Sequence, residues 1–333
     1  MKKVLIMLIL VSFVFSFALV GTSCKAEEAA QVEEVEETAE EEVEEVAEEE
    51  VEEKITLGIA MSTLANPFFV IMKDAGEETA KEFGWDVISL DAQDSSEKQA
   101  SQMQDLIARD VDIIIVNPTD SDAIVPSVKE ANDAGIPVIC ATRPSNGGKV
   151  EQVVNVDNIE AGNLVAEEMI KVLGTELKVA ILEGVPGAPS ANNRQQGFLD
   201  IVGDYPDIEI ITSVTANYNV EDGFTVMEDV LQSNPEIDAL YCHNDPMALG
   251  AIRAATAAGR LEEIAIFGVD GADDALVAIK EGEMVATVMQ QPALMMVTAV
   301  ESAAKVLNGE EVEELVIVPL VLVNKDNVDE FLK

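Results

Sequence analysis

The sequence predicts an α/β fold of two doubly wound, Rossmann-like lobes, and three observations support this prediction. Short apolar, β-branched segments alternate with longer segments of helical periodicity, which is typical of βαβ units. The strand segments are almost continuously apolar, as expected for parallel strands covered by helices on both faces. The alternation restarts after Val156, and the chain from Lys54 to Lys333 exceeds the size at which a single core usually stops growing.

The elements follow one another regularly along the chain. The first series consists of a strand at 55–61, a helix at 67–84, a strand at 85–91, a helix at 96–111 and a strand at 112–118. The second series has strands at 177–184, 207–214, 237–245, 264–271 and 284–290, separated by helix-like segments. Ligands of doubly wound folds bind where loops leave the carboxyl ends of the strands, so the cleft between the lobes is the candidate site.

The first 23 residues have the pattern of a secretory signal peptide. Lys2 and Lys3 precede an uncharged apolar run, and small residues precede Cys24. The run is too short and wrongly flanked for a stable membrane span. The segment resembles a bacterial lipoprotein signal, although Gly21 replaces the usual leucine-like residue, and we expect cleavage before Cys24 and acylation of that cysteine. An ordinary signal with a chance cysteine is the alternative, and it would leave a freely secreted protein.

Residues 24–53 are expected to form an acidic, disordered tether. Between Ala26 and Glu53 there are 16 glutamates, no basic residue and no aromatic residue, so the segment cannot build a core. Valines at helical spacing leave a helix open as an alternative. Like charges at i and i+4 oppose that helix at neutral pH.

Charge and composition exclude several functions. The whole chain carries −44, and subtracting −16 for the tether and +3 for residues 1–25 leaves −31 on residues 54–333. Neither nucleic acid nor an anionic membrane surface is therefore an expected partner. The acidic surface is compatible with simple solubility or with adaptation to high salt. Cys140 and Cys242 are expected to be free thiols, and His243 lacks partners for a metal or nucleophilic site, so no metal and no cofactor are expected.

Several segments in a fixed order resemble the type I periplasmic sugar-binding proteins, closest to their ribose-binding branch. The matching segments are ITLGIAMSTLANPFF, VNPTDSDA, ANDAGIPVI, HNDPMALGAIRAATAAGR, IFGVDGADDA and VATVMQQP. The resemblance implies three crossings between the lobes, near 156/157, 290/291 and 319/320, which form a three-stranded hinge. It divides the chain into an N-terminal lobe of 54–156 plus 291–319 and a C-terminal lobe of 157–290 plus 320–333.

The resemblance also implies a set of ligand-binding residues whose chemistry suits a sugar. Aromatic rings pack against the C–H faces of a sugar, and polar forks bond to its hydroxyl rim. The implied rings are Phe68, Phe69 and Tyr218. The implied rim residues are Ser62, Asn66, Arg143, Arg194, Asn244, Asp270 and Gln290. Core packing of the two phenylalanines, capping by Ser62 or Asn244, and a turn role for Asp270 are the structural alternatives.

One position departs from the ribose-binding pattern. Relatives carry Asp-Arg after the fourth strand, whereas this chain has Thr142 before Arg143. The loss of that carboxylate removes a bidentate hydroxyl acceptor. The expected ligand is therefore a pentose different from ribose, a polyol or a related small polar molecule, with a sugar acid or phosphate as the minority alternative.

These expectations combine into one function. The resemblance implies a lipid-anchored solute-binding protein of an ABC importer, outside the cytoplasmic membrane or in the periplasm, acting as a monomer. It would close on one small polyhydroxylated ligand and deliver it to a membrane permease. An enzyme is disfavoured because no catalytic carboxylate pair, metal cluster or activated nucleophile is recognisable. A repressor is disfavoured because a signal peptide precedes the domain, whereas an extracytoplasmic sensor or chemoreceptor partner stays compatible with every residue.

Overall fold

Residues 54–332 are described by the structure, a computed structural model, and they form two six-stranded sheets flanked by helices. The predicted signal peptide at 1–23, the lipidation site Cys24 and the predicted tether at 24–53 lie outside the described residues. The first series of elements is β1 (Thr56–Met61), α1 (Pro67–Glu82), β2 (Asp86–Asp91), α2 (Ser96–Ala108), β3 (Ile113–Val116), α3 (Val125–Asp133), β4 (Val138–Ala141) and β5 (Gln152–Asn155).

The second series begins after β5. It comprises α4 (Asn158–Leu173), β6 (Leu177–Glu183), α5 (Pro189–Val202), β7 (Ile208–Thr215), α6 (Val220–Ser233), β8 (Ala239–Cys242), α7 (Asp245–Ala257), β9 (Ala265–Asp270), α8 (Asp273–Glu281) and β10 (Ala286–Met289). The chain ends with α9 (Pro292–Leu307), β11 (Leu315–Ile317) and β12 (Val321–Asn324). Short 3₁₀ turns lie at Leu261–Glu263 and Val328–Glu330.

Each sheet has a doubly wound strand order. The first is β11-β5-β4-β3-β1-β2, and all of its strands are parallel. The second is β12-β10-β9-β8-β6-β7, in which only β12 runs antiparallel to its neighbour. The order reverses between β1 and β3 in one sheet and between β6 and β8 in the other. This confirms the predicted fold class and gives each sheet one topological switch point, the place where doubly wound folds commonly bind ligands.

Both faces of each sheet are covered by helices, which explains why the strands have apolar residues on both sides. In β1, Leu57, Ile59 and Met61 belong to one apolar cluster, whereas Ala60 belongs to the cluster on the opposite face. The β6 strand divides in the same way between the two clusters of its own sheet. Alternating side chains of one strand therefore fill two separate cores.

The chain passes between the two sheets three times within residues 54–332. It leaves the first sheet after β5, returns after β10 through α9, and leaves again between β11 and β12. The second and third crossings are tied together, because Gln291 Nε2 donates to the carbonyl oxygen of Pro319 at 2.7 Å. We call the sheet of β1–β5 and β11 with its helices the N-terminal lobe, and the sheet of β6–β10 and β12 with its helices the C-terminal lobe.

The structure describes both cysteines of residues 54–332 as free thiols. Cys140 and Cys242 are buried in different lobes and are not bonded to one another, in agreement with the expectation of free thiols. Burial raises the pKa of the Cys140 thiol to about 12. Among residues 54–332, no helix has the length and apolar character that a bilayer crossing requires.

Candidate functional site

The candidate residues lie where strands end, around both switch points. In the N-terminal lobe, Ser62 directly follows β1, Thr142 and Arg143 follow β4, and Asn66 precedes α1. In the C-terminal lobe, Asp270 ends β9 and Gln290 follows β10. Because carboxyl ends of parallel strands meet at one edge of a sheet, the topology gathers each of these sets at a single edge.

Ser62 and Thr142 are joined by a residue that the sequence reasoning did not select. Asn117, just beyond β3, accepts a hydrogen bond from Ser62 Oγ at 2.5 Å. Its Nδ2 donates to the carbonyl oxygen of Ala141 at 3.0 Å and to the hydroxyl of Thr142. The adjacent strands β1, β3 and β4 are therefore linked at their ends by one buried amide, which fixes the floor of this half of the site.

The start of α1 carries the next three candidates. Asn66 is the N-cap, since its side-chain oxygen accepts from the backbone N–H of Phe68 at 2.9 Å, and Pro67 occupies the first turn. Its Nδ2 makes no hydrogen bond with residues 54–332 and is a donor available to a ligand. Phe68 and Phe69 are both 8 % exposed and pack edge to face with ring centroids 5.3 Å apart.

The two phenylalanines also belong to an apolar cluster of the N-terminal lobe. The core role weighed as an alternative is thus present in the structure. Phe69 additionally lies beneath Arg143, whose guanidinium carbon is 6.0 Å from the ring centroid. Arg143 donates to the carbonyl oxygens of Pro118 and Thr119 at 3.0 and 3.2 Å, and burial lowers its pKa from the usual value.

In the C-terminal lobe, Arg194 is positioned by unusually close packing of α4 against α5. A Cβ on Gly162 would lie 2.2 Å from the carbonyl oxygen of Arg194, and a Cβ on Gly197 would lie 2.0 Å from that of Ile159. Only glycine permits this approach at the two positions. The contact brings Arg194 Nε within 2.9 Å of Asn158 Oδ1, at the first residue of α4.

Arg194 is buried and faces a carboxyl group. It is 4 % exposed, and its Nη1 donates to the carbonyl oxygen of His243 at 2.6 Å. The same nitrogen is 3.9 Å from Asp270 Oδ1. Gln290 Nε2 donates to that carboxyl oxygen at 2.5 Å. Three candidates, Arg194, Asp270 and Gln290, therefore form one buried polar group.

Burial raises the pKa of Asp270 to about 8, and the negative charge of Asp245 raises it further. Arg194 and the amide of Gln290 oppose this shift. As a rim residue of a sugar site, Asp270 would accept hydrogen bonds from two hydroxyls most strongly when ionised. Its surroundings instead favour the protonated carboxyl around neutral pH in the absence of a ligand.

Tyr218 and Asn244 lie beyond the carboxyl ends of β7 and β8, at the same edge of this sheet. The ring of Tyr218 lies against Gly184, where a Cβ would be 2.0 Å from Tyr218 Cζ, and Arg194 lies 5.9 Å from the ring centroid. The Tyr218 hydroxyl shares a hydrogen bond with Ser190 Oγ at 3.0 Å. Asn244 caps α7 by accepting from Met247 N at 3.1 Å, and its Nδ2 donates to the carbonyl oxygen of Tyr218. The capping alternative for Asn244 is therefore present in the structure.

Both ring nitrogens of His243, next to Arg194 and Asn244, are hydrogen-bonded within the C-terminal lobe. Its Nδ1 accepts from the backbone N–H of Gly184 at 3.2 Å, so Nε2 carries the proton and donates to Gln195 Oε1 at 2.8 Å. Burial and the nearby Arg194 lower the pKa of His243 to about 3. Among residues 54–332, no group of three side chains is arranged to hold a metal ion.

Backbone strain is concentrated at the same edges. The non-glycine residues with positive φ are Gln93, Asp94, Asp110, Thr142, Asn217, Tyr218, Asp270 and Gln291. All except Asp110 lie within three residues of the carboxyl end of a strand. Such conformations persist only where the surroundings hold them, and they are common in binding sites.

Sequence reasoning missed the residues that support these side chains. Asn117, Asn158, Ser190 and Asp245 each hydrogen-bond to a candidate residue or to the loop that carries one. Asn117 was discoverable, because it follows a predicted strand and lies in the VNPTDSDA segment. The other three lie at or near helix starts, and only the fold shows what they contact.

A groove elsewhere on the N-terminal lobe has about the volume of a small ligand but different chemistry. It lies between α1 and α9, measures about 460 Å³, and is lined by residues that include Phe83, Glu78, Glu82 and Glu301. It contains neither an arginine nor a buried polar network. The strand-end residues, which combine aromatic rings with buried donors and acceptors, are therefore the better candidate site.

Comparison with known proteins gives consistent matches over this region. Residues 57–311 match the family described as periplasmic binding protein domain. The chain is 43 % identical over 269 residues to the ribose import binding protein RbsB of Bacillus subtilis (strain 168), covering 81 % of this chain and 87 % of that protein. It is 37 % identical to the Escherichia coli (strain K12) protein of the same name, covering 82 % and 91 %.

Solved structures agree with these matches. An ABC transporter solute binding protein from Bacillus halodurans C-125 with bound myo-inositol is 37 % identical, with a TM-score of 0.80 over 84 % of this chain and 97 % of that one. A periplasmic solute binding protein from Actinobacillus succinogenes 130z with bound D-allose is 35 % identical, with a TM-score of 0.79 over 83 % of this chain and 100 % of that one. These proteins are similar to the chain in both sequence and fold.

Proposed function

This chain belongs to the type I periplasmic sugar-binding proteins, and on that premise we propose that it is the extracytoplasmic solute-binding protein of an ABC importer. It captures a small sugar or polyol between its lobes and delivers it to a membrane permease. The relatives named above are import or solute-binding proteins, which supports binding rather than catalysis.

One observation carries the proposal: buried Arg194 and Asp270 lie together at a strand edge beside the ring of Tyr218. Guanidinium, carboxyl and amide groups can bond to neighbouring hydroxyls of one molecule, while a ring covers its C–H face. Asn66, Phe69 and Arg143 offer the matching combination from the N-terminal lobe. We propose that these residues, with Ser62, Phe68, Thr142, Asn244 and Gln290, contact the ligand.

Ligand contacts to both lobes would favour a closed arrangement. Each half of the site is hydrogen-bonded internally, and within residues 54–332 no side-chain hydrogen bond joins a candidate of one lobe to a candidate of the other. A bridging sugar supplies contacts that only the closed state makes, which is the differential affinity that closure requires. We propose 54–156 plus 291–319 and 157–290 plus 320–333 as the two moving lobes.

A thermal-shift panel tests this function. D-ribose, D-allose, myo-inositol, glycerol, a sugar acid and an amino acid would each be added to the protein. A bound ligand at 100 times its dissociation constant adds about 2.7 kcal/mol of stability. We expect a sugar or polyol to raise the melting temperature and the amino acid to leave it unchanged. The absence of a shift with every sugar and polyol would contradict the proposal.

Thr142 is expected to influence which ligand binds. Thr142→Asp should strengthen D-ribose binding by about tenfold, because a restored carboxylate accepts charge-assisted hydrogen bonds. The same substitution should weaken the binding of a sugar acid, because the two carboxylates repel each other. The backbone tolerates the change, since Thr142 has φ 65° and aspartate occupies that region more readily than a β-branched residue. Calorimetry with both ligands measures the two signs.

Thr142→Asn is the matched control for this prediction, because it keeps the shape of the aspartate without the charge. It should leave the preference between neutral and acidic sugars close to that of the unmodified protein. If Thr142→Asp also leaves that preference unchanged, position 142 does not face the ligand.

We further propose that acylated Cys24 anchors the mature protein as a monomer at the outer side of the cytoplasmic membrane or in the periplasm. Intact mass spectrometry should find a lipid-modified Cys24 as the first residue. Cys24→Ser should move the protein from the membrane fraction to the soluble fraction, whereas Cys140→Ala should not. Membrane association that survives Cys24→Ser would refute the anchor.

A further inference from the structure

We infer that Asp245 is a positioning residue for ligand binding: it holds the loop that presents Asp270, without being one of the ligand contacts proposed above. The inference deepens the proposed function, since it takes Asp270 as part of the sugar site. Three hydrogen bonds accepted by the Asp245 carboxylate support this role, in addition to its charge.

Asp245 connects three elements of the C-terminal lobe. It is the first residue of α7 and is 0 % exposed. Its Oδ2 accepts from the backbone N–H groups of Gly271 and Ala272, both at 2.8 Å. Its Oδ1 accepts from Thr287 Oγ1 on β10 at 2.7 Å. One carboxylate thus joins the start of a helix, the loop after β9 and the neighbouring strand.

The loop that Asp245 holds is the one that aims Asp270. Gly271 directly follows Asp270, and their φ angles are 77° and 141°. The conformation at Asp270 is costly for a residue with a side chain, so it needs support from its surroundings. The two hydrogen bonds to Gly271 and Ala272 provide that support at the next two residues. The Asp245 carboxylate packs directly against β9, because a Cβ on Gly268 of that strand would lie 2.4 Å from Asp245 Oδ1.

Asp245 also acts on Asp270 through its charge. Three groups influence the pKa of Asp270: Arg194 from α5, Asp245 from α7 and the amide of Gln290 after β10. Asp270 in turn influences the pKa of Tyr218. Arg194 and Gln290 lower the pKa of Asp270, whereas burial and Asp245 raise it. Asp245 itself faces Arg194, and the pKa of the Cys242 thiol is raised first by burial and then by the charge of Asp245.

Two substitutions separate the positional effect from the charge effect. In Asp245→Asn, the amide oxygen can accept from both backbone N–H groups and the amide nitrogen can donate to the Thr287 hydroxyl, so the geometry is kept and the charge is lost. In Asp245→Ala, the bonds to the loop are lost as well. Asp273→Asn is the matched control, since it removes an exposed carboxylate two residues after Gly271.

The first measurement uses the ligand-free protein and carboxyl-carbon NMR, with the Asp270 signal assigned by its loss in Asp270→Asn. We expect Asp245→Asn to move the titration midpoint of Asp270 to lower pH, and Asp273→Asn to leave it in place. We expect the amides of Gly271 and Ala272 to exchange faster in Asp245→Ala. An unmoved midpoint in Asp245→Asn, or unchanged exchange in a folded Asp245→Ala, would overturn the inference.

The second measurement is calorimetry with D-ribose as the probe. Asp245→Ala should weaken binding by more than about tenfold, whereas Asp245→Asn should bind normally at high pH and shift the pH profile of affinity to lower pH. If the unmodified protein binds no D-ribose, the ribose version of the proposed function fails. The NMR result still decides the role of Asp245, because it needs no ligand.

Discussion

Arg194→Ala is expected to weaken sugar binding by more than about tenfold and to lower the free energy of unfolding by about 3 kcal/mol. Arg194 donates to Asn158 and to the carbonyl oxygen of His243, and its Nη1 lies 3.9 Å from Asp270 Oδ1. Its removal would take the Arg194 donors away from Asn158 Oδ1 and the His243 carbonyl oxygen, and would take the positive charge away from Asp270. Both effects are large because the side chain is almost fully buried.

Calorimetry with the sugar that the protein binds measures the affinity, and urea denaturation measures the free energy of unfolding. Arg194→Lys should recover only part of the affinity, since one ammonium group cannot replace the fork that reaches Asn158 and His243 together. Arg253→Ala, an exposed arginine of α7 in the same lobe, is the control and should behave like the unmodified protein. Near-native binding by Arg194→Ala would remove Arg194 from the site.

Asp270→Ala should also reduce affinity by more than about tenfold at high pH, and the loss should shrink as the pH falls. The folded, ligand-free carboxyl has a pKa raised from 3.8 to about 8, so it holds a proton that the unfolded chain releases at lower pH. Protonation therefore stabilises the folded chain, and stability contributed by this group is lost as the pH rises through 8.

Ligand binding has the opposite pH dependence if hydroxyls donate to both carboxylate oxygens. The proton must then leave, so affinity should rise by about tenfold per pH unit below pH 8 and level off above it. Asp270→Asn should abolish this dependence, whereas Asp274→Asn, an exposed neighbour, should keep it. Calorimetry between pH 6 and 9, about two units below and one above the midpoint, measures the profile. A flat profile in the unmodified protein would show that Asp270 does not release a proton to the solvent on binding.

The sequence was sufficient to predict most strands of each sheet because their signals are local, whereas β5, β11 and β12 were not among the predicted strands. Continuous apolar runs such as IIIV at 113–116 need both faces covered, and the long connections exclude hairpins. The predicted strands also place four candidate residues at the carboxyl ends of strands, where the structure has them: Ser62, Thr142, Asp270 and Gln290. These features depend on periodicity and on chain order, both of which can be read from one sequence.

Other features depend on contacts between distant segments and could not be predicted. The approach of α4 to α5 at Gly162 and Gly197 sets the position of Arg194, yet each glycine alone only weakens a helix prediction. Asp245 reads as an ordinary first-turn helix residue, and only the fold brings Thr287 and the β9 loop to it. Burial, which raises the pKa of Asp270, is likewise a property of the assembled lobe.

A crystal structure of the protein with the sugar or polyol that gives the largest thermal shift tests the central claim most directly. The account predicts one ligand molecule between the lobes, with Phe68 or Phe69 on one face, Tyr218 on the other, and hydrogen bonds from Arg194 and Asp270 to its hydroxyls. A ligand bound at another surface, or in this cleft without contact to either charged residue, would contradict it.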